Sequence, residues 1–193
     1  MSSDNGTPDY GLEDLRIVTS TEELRACFHG LRGTLLDLVH ERAATVAELA
    51  EAVGRPKSSV AYHVGILVEA GLFKVVRTRK VRAIEERFYG RTARIFYVGA
   101  IAPEQVQYIS NYLAEAAAES APAHRADTLR AILRHARISR EHAAEFWDRV
   151  FDLVTEFSSL PRSGDTVYGF VAGLYPTEHP SLPPRHASGS ETD

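Results

Sequence analysis

The sequence lacks the features that define several large classes of protein. Its 193 residues include one cysteine, Cys27, which excludes an intrachain disulfide and a zinc or iron–sulfur centre built from thiolates. No stretch approaches the roughly 18 consecutive apolar residues of a membrane span. Residues 1–20 lack the basic start and apolar block of a secretion signal. We therefore expect a cytoplasmic protein that does not interact with membranes.

The motifs of common enzymes and metal sites are also missing. The sequence has no G-x-S-x-G nucleophile elbow, no P-loop, no G-x-G-x-x-G fingerprint and no HExxH motif. His142 and Glu145 have helical i, i+3 spacing, but zinc needs three or four ligands and nothing upstream supplies the others. We expect no enzymatic activity, no cofactor and no bound metal.

Positive charge is scarce over the whole chain and concentrated in one part of it. The chain has 22 Lys and Arg against 26 Asp and Glu, a net charge of -4, with 44% hydrophobic residues as in a globular protein. Residues 55–94 nevertheless contain ten basic and three acidic residues, a net of +7, and the remainder carries -11. This asymmetry predicts a polyanion-binding surface on an acidic body.

Helix start and stop signals predict a helix-turn-helix. Ser20 with Glu23 and Thr45 with Glu48 match the capping box, and apolar residues recur after each at helical spacing. We expect two short helices, or one bent helix, after Ser20, and another short helix after Thr45. A longer helix then follows over residues 56–70, with Pro at its start.

The segment after this helix predicts a β-hairpin with a basic tip. Its β-forming residues flank an Arg/Lys cluster at residues 77–82 that has no helical period. Helices followed by a hairpin form a winged helix. We therefore predict a mainly α fold with a small β-hairpin, comprising a winged helix-turn-helix domain and a helical C-terminal dimerisation region.

The helix over 56–70 has an outward face that suits a DNA groove. With its apolar residues turned inward, small and polar side chains point away, and these permit approach to a major groove about 12 Å wide. Two other interpretations stay open: another helix packs on the small residues, or the basic hairpin tip is only a solvated turn. The predicted DNA-binding residues are Lys57, Ser58, Ser59, Ala61, Tyr62 and His63 on the helix, and Arg77, Arg79, Lys80 and Arg82 on the wing.

The C-terminal half shows three apolar stripes at helical spacing. The first runs from Pro103 through Ala116, the second from Leu129 to Ala136, and the third begins after Ser139. Residues 166–175 are either a strand or an apolar edge. We expect these helices to pack against a second copy of the chain, and their aromatic residues to form core, dimer interface or an effector pocket. The predicted division is a flexible arm at 1–19, a winged helix-turn-helix at 20–98, a dimerisation and effector region at 99–176 and a disordered tail at 177–193.

Four short motifs resemble the winged-helix regulators of the ArsR type. They are HGLR at 29–32, TVAELA at 45–50, SSVAYHV at 58–64 and EAGL at 69–72. Gly30, Gly33 and Val64 depart from the usual Pro, Arg and Leu of the family. The segment ERFYGRTARIFYV also resembles larger actinobacterial members that have a helical C-terminal extension. The family's Cys-rich arsenic site and its His-containing zinc site have no counterpart here.

The resemblance implies a transcription regulator. We expect sequence-specific binding of double-stranded DNA by a homodimer, through the recognition helix 56–70 and the wing 77–82, at a pseudo-palindromic operator, with repression as the outcome. A winged-helix module that binds a protein partner is one alternative. A ligand- or metal-sensing regulator that uses the C-terminal half is the other, and the sequence names no effector.

Overall fold

The computed structural model describes residues 8–81, 84–162 and 164–182, and it has the predicted mainly helical fold with an antiparallel hairpin. None of the helices within these ranges is long and apolar enough to cross a bilayer. The strands are β1 (Glu13–Val18), β2 (Phe73–Val81), β3 (Ile84–Arg91) and β4 (Ala93–Val98). The helices are α1 (Thr21–Cys27), α2 (Gly30–Glu41), α3 (Val46–Ala52), α4 (Lys57–Glu69), α5 (Tyr112–Glu119), α6 (Ala121–Arg125) and α7 (Arg140–Ser159), with a 3-10 helix at Pro103–Tyr108.

Both predicted capping boxes are confirmed. The hydroxyl of Ser20 accepts from the Glu23 N–H at 3.1 Å, and the Glu23 carboxylate accepts from the Ser20 N–H at 3.1 Å. Thr45 and Glu48 make the same reciprocal pair at 3.2 and 2.8 Å. These bonds satisfy backbone donors that have no partner within the first turn of a helix. They therefore fix where α1 and α3 begin.

The hairpin of β2 and β3 is confirmed as well. Its antiparallel register runs from Phe73 opposite Arg91 to Val81 opposite Ile84, and it shifts between Val75 and Arg77. A backbone bridge between Ala44 and Tyr89, with N–H to O distances of 3.0 and 2.8 Å, ties the hairpin to the chain before α3. The wing is therefore anchored to the helix-turn-helix near its base. Arg82, at the predicted tip, lies outside the described residues.

One apolar core unites α1 to α4 with the base of the hairpin. Each of the four helices contributes at least one fully buried aliphatic side chain, such as Leu24, Leu35, Leu49 and Leu67, and each such burial stabilises the fold by about 1.5–3 kcal/mol. Cys27 also lies in this core, where desolvation raises the pKa of its thiol to about 11. Cys27 is therefore a small buried side chain of the core.

The prediction of a flexible arm over residues 1–19 is wrong for residues 13–18. Strand β1 pairs in parallel with β4, from Glu13 opposite Ala93 to Val18 opposite Val98. The pairing satisfies backbone groups on the edge of β4, and Val18 is completely buried. Residues 1–7 lie outside the described part of the chain.

The C-terminal half departs most from the predicted helices. Only α7 begins where expected, with Ser139 accepting from the His142 N–H at 3.1 Å. The helix expected from Leu129 to Ala136 is absent from the described residues, and Ile132 is 83% exposed. An apolar stripe stabilises a helix mainly by packing against a partner, and Leu129, Ile132 and Leu133 of this stripe stay exposed in the part of the chain that the structure describes.

One further expectation for this half needs correction, and one open alternative is decided against a strand. The helix expected from Pro103 onwards is divided into the 3-10 helix Pro103–Tyr108 and the separate helix α5. Asn111 is the N-cap of α5, and its side chain accepts from the Ala114 N–H at 3.2 Å. Residues 166–175, left open between a strand and an apolar edge, adopt no regular secondary structure.

Candidate nucleic-acid interface

The α4 helix divides cleanly into a buried and an exposed face. Its apolar stripe packs into the core, with Val60, Val64 and Leu67 at most 2% exposed. Apart from the adjoining residues and backbone of α4 itself, no atom of the described chain lies within 4 Å of the position that a Cβ at Gly65 would occupy. Packing of another element within the described chain therefore does not account for the missing side chain at Gly65. The exposed predicted residues are Lys57, Ser58, Ala61 and Tyr62, whereas Ser59 and His63 are half-buried.

The beginning of α4 suits an anion. Pro56 is the N-cap, the first turn contains no acidic residue, and Lys57 is the first helical residue. The N-terminal end of a helix carries a partial positive charge and several backbone N–H groups without partners. Ser58 and Tyr62 add hydroxyl donors on the exposed side of the same helix, so this face has hydrogen-bonding groups for both phosphates and base edges.

His63 occupies the border between the two faces and contacts α2. Its Nδ1 lies 3.4 Å from a guanidinium nitrogen of Arg32, and its ring centroid is 5.1 Å from that of His29. Desolvation lowers the pKa of His63, and His29 and Arg32 lower it further. Sequence reasoning missed both partners, although each belongs to the HGLR motif at 29–32.

The wing arginines are engaged by acidic side chains of the same chain. Arg77 forms an ion pair with Asp9 and lies over the Phe88 ring, 4.5 Å from its centroid. Arg79 donates to one carboxylate oxygen of Glu86 from two nitrogens, at 3.1 and 2.6 Å. Arg77, Arg79 and Lys80 are exposed, but in the described part of the chain only Lys80 of the three has no carboxylate within 4 Å.

Arg91 and Arg94 belong to the basic segment 55–94, but their positive charge is not exposed on the candidate surface. Arg91 is 6% exposed, and its guanidinium donates to the carbonyl oxygens of Ala93 at 2.6 Å and Leu36 at 3.3 Å. Arg94 lies 3.7 Å from the Asp14 carboxylate. The positive charge available to a polyanion is therefore smaller than the sequence total of +7.

A separate cavity lies between α2, the strands β3 and β4, and α5. Its volume is about 310 Å³, and its walls include Phe28, Asp37, Arg91, Phe96 and Tyr112. Of the C-terminal aromatic residues considered for an effector pocket, Tyr112 is the one among its lining residues. Within the described ranges, no three His, Cys, Asp or Glu side chains come close enough together to hold a metal ion.

Comparison with known proteins supports the assignment of the helix-turn-helix. Residues 29–76, about a quarter of the chain, match a family model described as a helix-turn-helix domain. No curated protein matches the chain.

Solved structures similar to the chain include three bacterial proteins. HlyU from Vibrio cholerae is 24% identical over 37% of this chain and 73% of its own, with a TM-score of 0.32. A homodimeric winged helix-turn-helix DNA-binding domain from Mycobacterium bovis, described as a possible ArsR-family transcriptional regulator, is 16% identical over 60% and 85%, with a TM-score of 0.33. Rv0081 from M. tuberculosis is 23% identical over 56% and 91%, with a TM-score of 0.31.

The matched segment contains α2, α3 and α4, and the hairpin of β2 and β3 completes it. The chain therefore has a winged helix-turn-helix domain. Within this class it resembles the ArsR-type transcriptional regulators, as the motifs from HGLR to EAGL indicate.

Proposed function

We propose that this protein is a transcription regulator that binds double-stranded DNA sequence-specifically. The observation that carries the proposal is the outer face of α4, which is small, polar and exposed at Lys57, Ser58, Ala61 and Tyr62. A helix with this face can approach base edges closely, and its hydroxyl groups can read them. An exposed face that had only to stay soluble would more often carry Glu and Lys.

Helix and wing take different roles in this proposal. Ser58, Ala61 and Tyr62 lie on the side of α4 that would enter the major groove, so they are proposed to read bases. Arg77, Arg79, Lys80 and Arg82 of the wing are proposed to contact phosphates, which fix the register of a protein on DNA and make its affinity depend on salt. Lys57, Ser59 and His63 complete the interface at the flanks of the helix.

We further propose that the protein acts as a homodimer. Within the described chain, every buried residue lies before residue 99, and the α7 helix exposes large apolar side chains such as Phe146 and Leu153. Exposed apolar faces of this kind are typical of interfaces. A second copy related by two-fold symmetry could cover this face and place the two α4 helices on the same side of the dimer. The expected target is a pseudo-palindrome with half-sites about one helical turn apart, and binding there would repress transcription.

Selection of genomic DNA fragments by the purified full chain tests this function. We expect the selected fragments to share a pseudo-palindromic sequence, and their affinity to fall steeply between about 50 and 200 mM salt. Sedimentation in the same buffer gives the mass of the protein. If no common sequence emerges, or if affinity barely changes with salt, the wing and helix form a surface for a protein partner instead.

A further inference from the structure

A buried arginine lies directly beneath the recognition helix. Arg32, on α2, is 8% exposed, and its Nε donates to the Ala26 carbonyl oxygen at 2.9 Å while Nη2 donates to that of Arg25. Both carbonyls belong to the last turn of α1, where helical partners are missing. The side chain is thereby fixed by two backbone groups, and its Nη1 is left facing His63 of α4 at 3.4 Å.

This geometry determines which ring nitrogen of His63 carries the proton. A guanidinium is always protonated and has no acceptor, so the contact between Nη1 and Nδ1 is favourable only if Nδ1 accepts. A neutral imidazole has one donor and one acceptor. The proton of His63 must then be on Nε2, on the side of the ring away from Arg32.

The surroundings of His63 also favour its neutral form. The nearby titratable and charged groups are His29 at the N-cap of α2, Arg32 on α2 and Tyr62 on α4, whereas the guanidinium of Arg25 on α1 lies against Tyr108. None of these groups is a carboxylate. Desolvation and the positive neighbours lower the pKa of His63, and desolvation and Arg32 lower that of His29.

The Nε2 atom of His63 is available to a ligand. It makes no hydrogen bond within the described chain, and His40 Nε2 is the one buried side-chain nitrogen or oxygen there that lacks a partner. Nε2 of His63 is therefore open to solvent. The ring also lies next to Tyr62 on the exposed face, with 5.4 Å between their centroids.

We propose that Arg32 is a positioning residue that holds His63 as the neutral Nε2–H tautomer, so that His63 presents a fixed hydrogen-bond donor to an acceptor on DNA. The part that concerns DNA rests on the proposed function, whereas the tautomer is a property of the free protein. The two parts can therefore fail separately.

The first experiment measures the tautomer without DNA. Long-range ¹H–¹⁵N spectra of histidine-labelled full chain, assigned with His63→Gln, should show the Nε2–H pattern for His63 from pH 8 to pH 7. Arg32→Met, which keeps an unbranched but shorter side chain and removes the guanidinium donors, should give a mixture of tautomers and bring the pKa of His63 closer to that of a free imidazole. A protonated ring or an Nδ1–H pattern at pH 7 in the unaltered protein would overturn the proposal.

The second experiment uses a selected duplex and compares His63→Gln with His63→Leu. The amide nitrogen of Gln comes near the place of Nε2 and restores a donor, so His63→Gln should keep most of the affinity, whereas His63→Leu should lose about tenfold, the value of one hydrogen bond. Equal losses in the two variants would contradict a donor role.

A double-mutant cycle completes the test and covers the case in which Arg32→Met is poorly folded. Arg32→Met should weaken binding in the unaltered protein but have little further effect in the His63→Leu background. Fully additive losses would mean that Arg32 acts on the fold alone. Affinity should also stay level from pH 8 to pH 7, and a rise over that range would indicate a charged imidazole. If neither the unaltered chain nor any variant binds DNA, the proposed function is wrong. The spectra of the free protein still decide the tautomer of His63.

Discussion

The recognition helix and the wing present two different kinds of surface. On the outer face of α4, Lys57, Ser58, Ala61 and Tyr62 are exposed, and none of them forms an ion pair within the described chain. In the wing, Arg77 and Arg79 are bonded to Asp9 and Glu86. A phosphate that takes either arginine must displace a carboxylate, so the net gain is smaller than the charge suggests. Changes on α4 should therefore have larger effects than changes in the wing.

The largest effect is expected from a negative charge at the centre of the α4 face. Ala61→Glu keeps a good helix former but places a carboxylate against DNA phosphates, and like-charge contacts at an interface cost several kcal/mol. We expect at least about a 100-fold loss of affinity for every duplex, measured by fluorescence anisotropy. Ala144→Glu is the matched control and should leave affinity unchanged, because Ala144 is exposed on the side of α7 opposite the apolar face that contains Phe146 and Leu153. Similar losses in both variants would argue against α4 as the DNA-binding surface.

A smaller and more selective effect is expected at Tyr62, which is 67% exposed on the same face. Tyr62→Ala should change the preferred base at one or two positions of the selected sequence, with a cost of about 1–3 kcal/mol on the original site. Tyr62→Phe separates the hydroxyl from the ring. Repeating the fragment selection with each variant is the measurement. If Tyr62→Ala instead lowers the affinity for all sequences equally, Tyr62 positions the protein on DNA and does not read bases.

The wing should show the opposite behaviour. Arg79→Ala with Lys80→Ala should weaken binding to all duplexes alike, and loss of the Lys80 contact should reduce the salt slope by about one. The Arg79 share should be smaller because Glu86 already engages that guanidinium. Glu86→Gln is the complementary variant and should steepen the slope. An altered sequence preference after the wing substitutions would reverse the two roles.

The smallest effect is expected at Asp9, which holds Arg77 and also accepts from the Ala43 N–H at 2.7 Å. Asp9→Asn should release Arg77 and raise affinity for all duplexes, by less than about fivefold, because an exposed ion pair contributes about 0–1 kcal/mol. Asp14→Asn is the control, since its carboxylate faces Arg94 and not the wing. A loss of affinity in Asp9→Asn would mean that this contact positions the wing and does not compete with DNA.

What the sequence predicts well is what short-range signals determine. The capping boxes at Ser20 and Thr45 and the proline at the start of the helix predicted over 56–70 act within a few residues, and the structure has α1, α3 and α4 where these signals place them. The outward face of α4 follows from helical geometry alone. Its exposure is confirmed, while its role in binding DNA stays a prediction.

What the sequence could not predict depends on contacts between distant segments. The pairing of β1 with β4 and the bond between Asp9 and Arg77 join residues that no local pattern connects. The pairing of Arg79 with Glu86 depends on the hairpin register, which the sequence left uncertain. The helix expected around Ile132 is absent because apolar residues at helical spacing do not stabilise a helix unless another surface covers them, and Ile132 is exposed.

The central claim is that the outer face of α4 reads a DNA sequence. The ratio of two DNA affinities tests it directly. The affinity of the full chain for a selected duplex is divided by its affinity for the same duplex with its bases scrambled, both at about 0.15 M salt. We predict a ratio of at least about 1,000, as specific DNA-binding proteins show. Equal affinities for the two duplexes would contradict the claim.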